Sequence, residues 1–402
     1  MINIALPKGF TLGGGHVGIK KSKADLTLIL SESPAAAAGC FTKNKVKAAP
    51  VIYDQTIIND GGNTCGIVIN SGNANACTGE CGTNDALAMA TEFAKALNVS
   101  PSEVFVCSTG VIGVPLPIEK ITNGIHTVYA NMGKSDAHIK AAIEGIMTTD
   151  TFMKTAWTDV ILSDKSVRLA GIAKGSGMIH PNMATMLAFI TTDASIDKLL
   201  LQKALNFCVE RTFNMISVDG DTSTNDTILV LANGMAENTE IRLEDQDYKT
   251  FLDALLKICE SLAIDVVRDG EGATKLFEVR ISGAPSEIDA RAIARTVTSS
   301  NLLKAAIFGA DANWGRVLCA MGYSGGEFDP AKINMSFISA AGNLEVMRNG
   351  NPLLFDEDVA KRVLSEKEFS IEINLGDGEF SAKAWGCDLT YDYVKINADY
   401  RS

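Results

Sequence analysis

The chain has 402 residues, 46% hydrophobic and 21% charged, with a formal net charge of −12. That composition belongs to a globular protein with a large core, and its acidic balance argues against a nucleic-acid or anionic-membrane surface. No apolar run of about 18 residues occurs, so no membrane span is expected.

Met1–Lys8 lacks the basic start and long apolar region of a secretion signal, and a cytoplasmic location is expected. Residues 1–75 alternate short β-like runs with turns. Phe10–Gly18 is glycine-rich but has neither the Lys-Ser/Thr ending nor the following helix of a phosphate loop. Gly66–Asn70 reads as a buried strand entering the polar loop Ser71–Ala76, which is either a turn cluster or the lining of a site. Cys77 and Cys81 are the one close pair among nine scattered cysteines, and the four histidines show no paired spacing. Reduced thiols and no metal site are expected. Asn84 or Asp85 is the predicted cap of a helix whose apolar residues, from Ala86 to Leu97, recur at helical spacing. Val104–Cys107 is a strand, and Ser108-Thr-Gly-Val-Ile-Gly113 a predicted turn whose N–H groups suit a developing oxyanion. Thr109 has two readings there, a plain turn residue or an oxyanion donor. Helical stretches near 118–131 and 136–147 precede the hydroxyl-rich loop Met147–Phe152. Val160–Leu162 and Val167–Ala173 form a predicted hairpin that delivers Lys174. This lysine is either a solvated charge or a cation for a substrate carboxylate or a neighbouring amine.

From Lys174 to Asn182 the chain concentrates turn chemistry, and Met186–Ile190 then reads as a core strand. Thr185 opens that strand. It is either a strand residue of ordinary preference or the new N-terminus left by a cut after Ala184. An N-terminal threonine carries a hydroxyl nucleophile and, in its α-amine, a base of near-neutral pKa. A helix begun by Ser195 and containing Leu199–Phe207 follows. Asp219, Asp221 and Asn225 lack the bidentate Glu and flanking helices of a calcium loop. Thr227–Ala232 is a core strand and Phe251–Val267 a long helix. In Asp269–Lys275, Gly272 allows close backbone approach, and Glu271 is either a turn carboxylate or a functional acid. Phe277–Ser282, Phe369–Leu375 and Ala382–Thr390 read as strands, and Ile288–Ser299 as a helix. Asp311–Arg316 either lines a site or, through Trp314, joins the core. No internal repeat or low-complexity linker marks a boundary.

His180-Pro-Asn-Met-Ala-Thr-Met-Leu-Ala-Phe189 resembles the self-cleavage site of the glutamate N-acetyltransferase, or ornithine acetyltransferase, family of arginine biosynthesis. Cys107–Gly113, Met147–Thr151, Val218–Asp226, Asp269–Lys275 and Asn397–Ser402 resemble further blocks of that family, in its order and over nearly the whole chain. The resemblance implies an α/β fold of α+β layers, with mixed sheets packed between helices and two domains. Autocleavage between Ala184 and Thr185 would give an alpha chain, 1–184, with the oxyanion hole, and a beta chain, 185–402, with the nucleophile. It implies ping-pong transfer of an acetyl group from N2-acetylornithine to glutamate through acetyl-Thr185. The Thr109 hydroxyl and Gly110 N–H would form the oxyanion hole. Thr148 (or Thr151), Lys174, Glu271, Asn397 and Ser402 would bind substrate, Ser402 standing where the family often has Thr. No cofactor or metal is implied, though some members accept acetyl-CoA as a co-substrate and are bifunctional. Two alpha and two beta chains would assemble as a tetramer, with no nucleic-acid or membrane partner. Two other readings remain: a self-cleaving N-terminal-Thr aminopeptidase or amidase with water as acceptor, and a non-enzymatic binder whose chain stays intact.

Overall fold

The computed structural model describes residues 4–180 and 186–398. Ala184, Thr185 and Ser402, which carry the expected cleavage site, nucleophile and terminal hydroxyl, lie outside the described residues. The chain runs β1 (Phe10–Gly15), β2 (Leu26–Phe41), α1 (Ala49–Asp60), β3 (Thr64–Asn73), α2 (Gly79–Leu97), β4 (Val104–Val111), α3 (Ile118–Tyr129), α4 (Asp136–Ile146), β5 (Lys154–Leu162) and β6 (Lys165–Lys174). It continues β7 (Leu187–Thr192), α5 (Lys198–Arg211), β8 (Ile216–Ser217), β9 (Thr227–Ala232), α6 (Gln246–Arg268), β10 (Leu276–Ala284), α7 (Glu287–Ser299), α8 (Asn301–Phe308) and α9 (Trp314–Gly322). The last elements are β11 (Asn334–Ser339), β12 (Gly342–Arg348), β13 (Asn351–Pro352), α10 (Glu357–Ser365), β14 (Glu368–Asn374), β15 (Phe380–Cys387) and α11 (Tyr391–Ala398).

Among the described residues, the strands form two mixed sheets, of eight and seven strands. Each sheet belongs to one of two compact units. The first unit comprises Met1–Gly175, Asn182–Glu210 and Thr222–Leu262; the second comprises Ser176–Pro181, Arg211–Asp221 and Ala263–Ser402. This partition differs from the two chains that a cut after Ala184 would leave, because each unit draws on both sides of that bond.

In the first unit the order is β4-β3-β2-β9-β7-β6-β5, with β1 on β2. The β3–β4 and β7–β9 pairs are parallel. Strand alternation sends side chains to opposite faces. Ile29, Ile67, Ile69 and Phe105 join Ile139 and Ile143 of α4 in one core cluster. Leu28, Val68 and Val106 join Met89 and Phe93 of α2 and Ile121 and Ile125 of α3 in another. The sheet therefore lies between helical layers. The long strand β2 pairs with β3 through Leu30 and with β9 from Ala36, and its register shifts between Leu30 and Ala35. Pro34 falls in that irregularity, where a missing N–H breaks no ladder.

The structure moves several expected boundaries. Helix α1 stands where only β-like runs were expected; no side-chain cap marks its start, and Pro50 in its first turn is the one local sign of it. Helix α2 begins at Gly79, several residues before Asn84. Asn75 fixes this early turn by donating to the Gly82 carbonyl at 2.8 Å and accepting from the Thr78 hydroxyl at 2.7 Å. A Cβ on Gly82 would overlap the Thr78 hydroxyl, so this poor helix former is required there. Helix α5 is capped by Asp197, which accepts from Leu199 N at 2.9 Å, rather than by Ser195.

In the second unit the order is β13-β12-β11-β14-β10-β15-β8, with β10–β14 and β15–β8 parallel. Helix α7 packs on β10 and β15, and α10 on β11 and β12. Asn313 caps α9, accepting from Arg316 N at 3.2 Å, so Asp311–Arg316 serves as a helix start. The terminal segment expected only as a chain end forms α11. Six of the nine cysteines are buried, and all are free thiols. No described helix is long and apolar enough to cross a membrane.

Candidate active site

Strand β6 ends at Lys174, which is 8% exposed, and its Nζ lies 3.3 Å from the Thr109 hydroxyl. Thr109 and Gly110 were expected in a turn. They lie inside β4, because β3 keeps parallel pairing past them: Ser71 faces Thr109 and Gly72 faces Gly110. Gly110 adopts φ +135°, and a Cβ there would overlap the Gly72 backbone, so only glycine lets the strands meet this closely. Two buried braces hold β4. Asp54 of α1 accepts from Val106 N at 2.8 Å. Asn225 donates to the Ser108 carbonyl at 2.9 Å and to the Ala74 carbonyl at 2.5 Å.

Asp150 organises the loop before β5. Its carboxylate accepts from Lys154 Nζ at 2.7 Å, Gly175 N at 2.7 Å and Thr148 N at 2.9 Å. The Asp150 and Lys154 side chains are fully buried. Burial alone would raise the Asp150 pKa, but Lys174 and Lys154 together outweigh it and hold the carboxyl well below the usual range. One anion thus fixes the backbone of Thr148 and of the residue after Lys174. Thr148 is half-buried; Thr151 is exposed. Asp150 is not among the expected site residues, although it sits in a block that carries the resemblance. Its signal is an acid among hydroxyl residues, followed four positions later by a lysine opening a strand.

The chain enters the second unit at Ser176. The Ser176 hydroxyl donates to the Asp269 carbonyl at 2.6 Å, and Glu271 N donates to the Ser176 carbonyl at 2.9 Å. Glu271, 8% exposed, lies so close to Gly177 that any Cβ there would overlap its carboxylate. Asn397 Nδ2 donates to Glu271 Oε2 at 2.9 Å. Gly272, at φ +70°, brings its backbone against Tyr393 N, within 2.5 Å of where a Cβ would stand, which seats α11. Asp219 accepts from Met178 N at 2.6 Å, Ile179 N at 2.8 Å and the Tyr393 hydroxyl at 3.3 Å. It is therefore a loop brace. Burial first, and then Arg295, push the His180 pKa down to about 4, so this imidazole is neutral at pH 7.

The expected residues thus fall into two sets: Thr109, Gly110, Thr148 and Lys174 in the first unit, Glu271 and Asn397 in the second. None of them lines the cleft of about 640 Å³ around Ala36, Asn59, Lys198 and Gln202. None lines the cleft of about 540 Å³ around His16, Lys120 and Asn123 either. Hydroxyl, glycine N–H and ammonium donors in one set suit negative charge, and a buried carboxylate with an amide in the other suits a cation.

Two mixed sheets with helices define an α/β protein whose polar sets offer donors for negative charge in one unit and a carboxylate for a cation in the other. The model of the ArgJ family matches residues 11–402. The arginine biosynthesis bifunctional protein ArgJ of Caldanaerobacter subterraneus subsp. tengcongensis is 52% identical over 399 residues, which cover 99% of this chain and 98% of that protein. ArgJ 1 of Clostridium acetobutylicum is 54% identical over 386 residues, covering 96% and 94%. The crystal structure of the Bacillus halodurans arginine biosynthesis bifunctional protein, 47% identical, matches with a TM-score of 0.51 over 53% of this chain and 99% of that one. The chain belongs to the ArgJ family.

Proposed function

We propose that the chain is a self-processing acetyltransferase that moves the acetyl group of N2-acetylornithine to glutamate in arginine biosynthesis. The observation that carries this reading is near full-length identity of about one half to arginine biosynthesis bifunctional proteins. Thr185 attacks the Ala184 carbonyl, and water resolves the resulting ester into chains 1–184 and 185–402. A feature of the B. halodurans crystal structure is in keeping with this step: 53% of this chain accounts for 99% of that solved chain, as it would for one product of a cut chain.

The freed α-amine of Thr185 takes the proton of its own hydroxyl as the oxygen attacks the acetyl carbonyl. Thr109 and Gly110 hold the oxyanion. Ornithine leaves, its nitrogen taking the proton, and acetyl-Thr185 remains. The glutamate amine then attacks this ester, and collapse releases N-acetylglutamate and restores the hydroxyl. Lys174 holds substrate carboxylate, Glu271 and Asn397 the cationic group, and Thr148 and Ser402 complete the binding set. The name bifunctional, borne by the relatives, supports a second donor, which we assign as acetyl-CoA. No cofactor or metal is required, and the expected assembly is two alpha and two beta chains in the cytoplasm.

Steady-state transfer tests the reading. Parallel double-reciprocal lines, with exchange of label between ornithine and N2-acetylornithine in the absence of glutamate, support it. Acetate release at full rate without any amino-acid acceptor would instead assign an amidase.

A further inference from the structure

In the basic run Lys20-Lys-Ser-Lys23, Lys21 and Lys23 are exposed, whereas Lys20 is half-buried. The cause is Asp25. Its fully buried carboxylate accepts from Val17 N at 2.6 Å, Ile19 N at 2.7 Å, Lys20 N at 2.9 Å and Gly18 N at 3.2 Å. The loop is thereby wrapped around one anion, and the Lys20 side chain is turned inward. Its stem lies against Gly72, with Cγ 3.0 Å from where a Cβ would stand, and Gly72 is the residue whose backbone abuts Gly110. Its ammonium donates to the Met147 carbonyl at 2.6 Å, immediately before Thr148, and to the Ala24 carbonyl at 2.8 Å. An ammonium has three protons, and among the described residues two of them have acceptors. Lys174 and Asp150 are near enough to perturb it.

We propose that Lys20 is a further substrate-binding residue, which with Lys174 grips the α-carboxylate common to the acetyl donor and the acceptor. This rests on the acetyltransferase reading. The acetyl group moves between the α-nitrogens of two amino acids, so the α-carboxylate is the charge nearest the oxyanion donors in both half-reactions. The distal groups differ in sign, an amine on ornithine and a carboxylate on glutamate, and a fixed cation would suit only one of them. Lys20 lies against Gly72, whose backbone in turn abuts Gly110 of the expected oxyanion hole.

A pH signature follows. Burial, and then Lys174 and Lys23, lower the Lys20 pKa to about 8 against the opposing pull of Asp25 and Asp150. The ammonium is charged at neutral pH and loses its proton as pH rises through that value. KM for N2-acetylornithine, whose α-nitrogen is already acylated, should climb over the same range.

The test compares wild type with Lys20→Met and Lys20→Arg, each first checked for processing by intact mass. Loss of a charge-assisted hydrogen bond predicts KM values for both substrates raised ~10–100-fold, with kcat little changed and Lys20→Arg largely restored. The rise of KM through pH ~8 should vanish in Lys20→Met. A KM increase for glutamate alone would place Lys20 on the distal carboxylate and overturn the assignment. So would a lowered Tm with unchanged KM values and an unchanged pH profile. Should the wild type transfer no acetyl group, the acetyltransferase reading fails first. Calorimetric titration of both proteins with glutamate then judges Lys20 by itself, equal affinity overturning it.

Discussion

Asp150 holds three groups at once, the Lys154 ammonium and the N–H groups of Thr148 and Gly175. Removing Lys154 leaves that anion without its fully buried partner, so Lys154→Met should cost about 3–5 kcal/mol in urea unfolding. Because the folded-state pKa of Asp150 lies below its unfolded value, the stability it contributes is present above the ordinary carboxylate range and lost as pH falls below it. Asp150→Asn should flatten that acid limb. At Thr109, the Val variant keeps the shape without the hydroxyl. Its kcat should fall about 10²–10³-fold if that hydroxyl stabilises the oxyanion, and rates within threefold of wild type would remove it from the role. These residues differ in how visible they were. By themselves Thr109 reads first as a turn residue and Glu271 as a turn carboxylate, and only the family blocks reverse that. Asp150 went unread because its meaning lies in Lys154 and Gly175, and the fold sets those contacts.

At the scale of elements, strand Thr227–Ala232 was legible to the residue, since an unbroken β-branched and aliphatic run has one good reading. Helix α1 was hidden because its buried Asp54 interrupts the apolar pattern. Burial pushes the Asp54 carboxyl well above its usual range, against the hydrogen bonds from Val106 and Cys107. The neutral acid is thus the form folded in, and its raised pKa costs nothing below the unfolded value while lowering stability as pH rises above it. Asp54→Asn should therefore gain stability over wild type as pH rises above the ordinary carboxylate range in denaturant titrations; identical pH dependence of the two proteins would contradict this. By sequence alone strand β4 ends early, because Gly110 signals a turn. Its φ of +135° is used instead to bend a paired strand against Gly72. Gly110→Ala should destabilise by about 1–3 kcal/mol through that overlap and depress kcat as well.

For the whole molecule, composition was enough to indicate a large α/β core, but the two units were not readable. The second unit takes 176–181 and 211–221 from the middle of the chain before claiming its last third. No linker or change in composition marks those crossings. The stretch from Lys174 to His180 passes from one unit to the other; it reads as a loop because the partners of its residues, Asp150, Glu271 and Asp219, lie far away in sequence. The family's cleavage motif sits directly after it.

The central claim is that Thr185 becomes both the N-terminus and the acetyl carrier. Intact-mass measurement with N-terminal sequencing, on protein incubated with N2-acetylornithine and no glutamate, tests it directly. Two chains are expected, the second beginning Thr-Met-Leu-Ala-Phe and heavier by one acetyl group that glutamate then removes. A single unbroken chain in an enzyme that still transfers acetyl groups would contradict it.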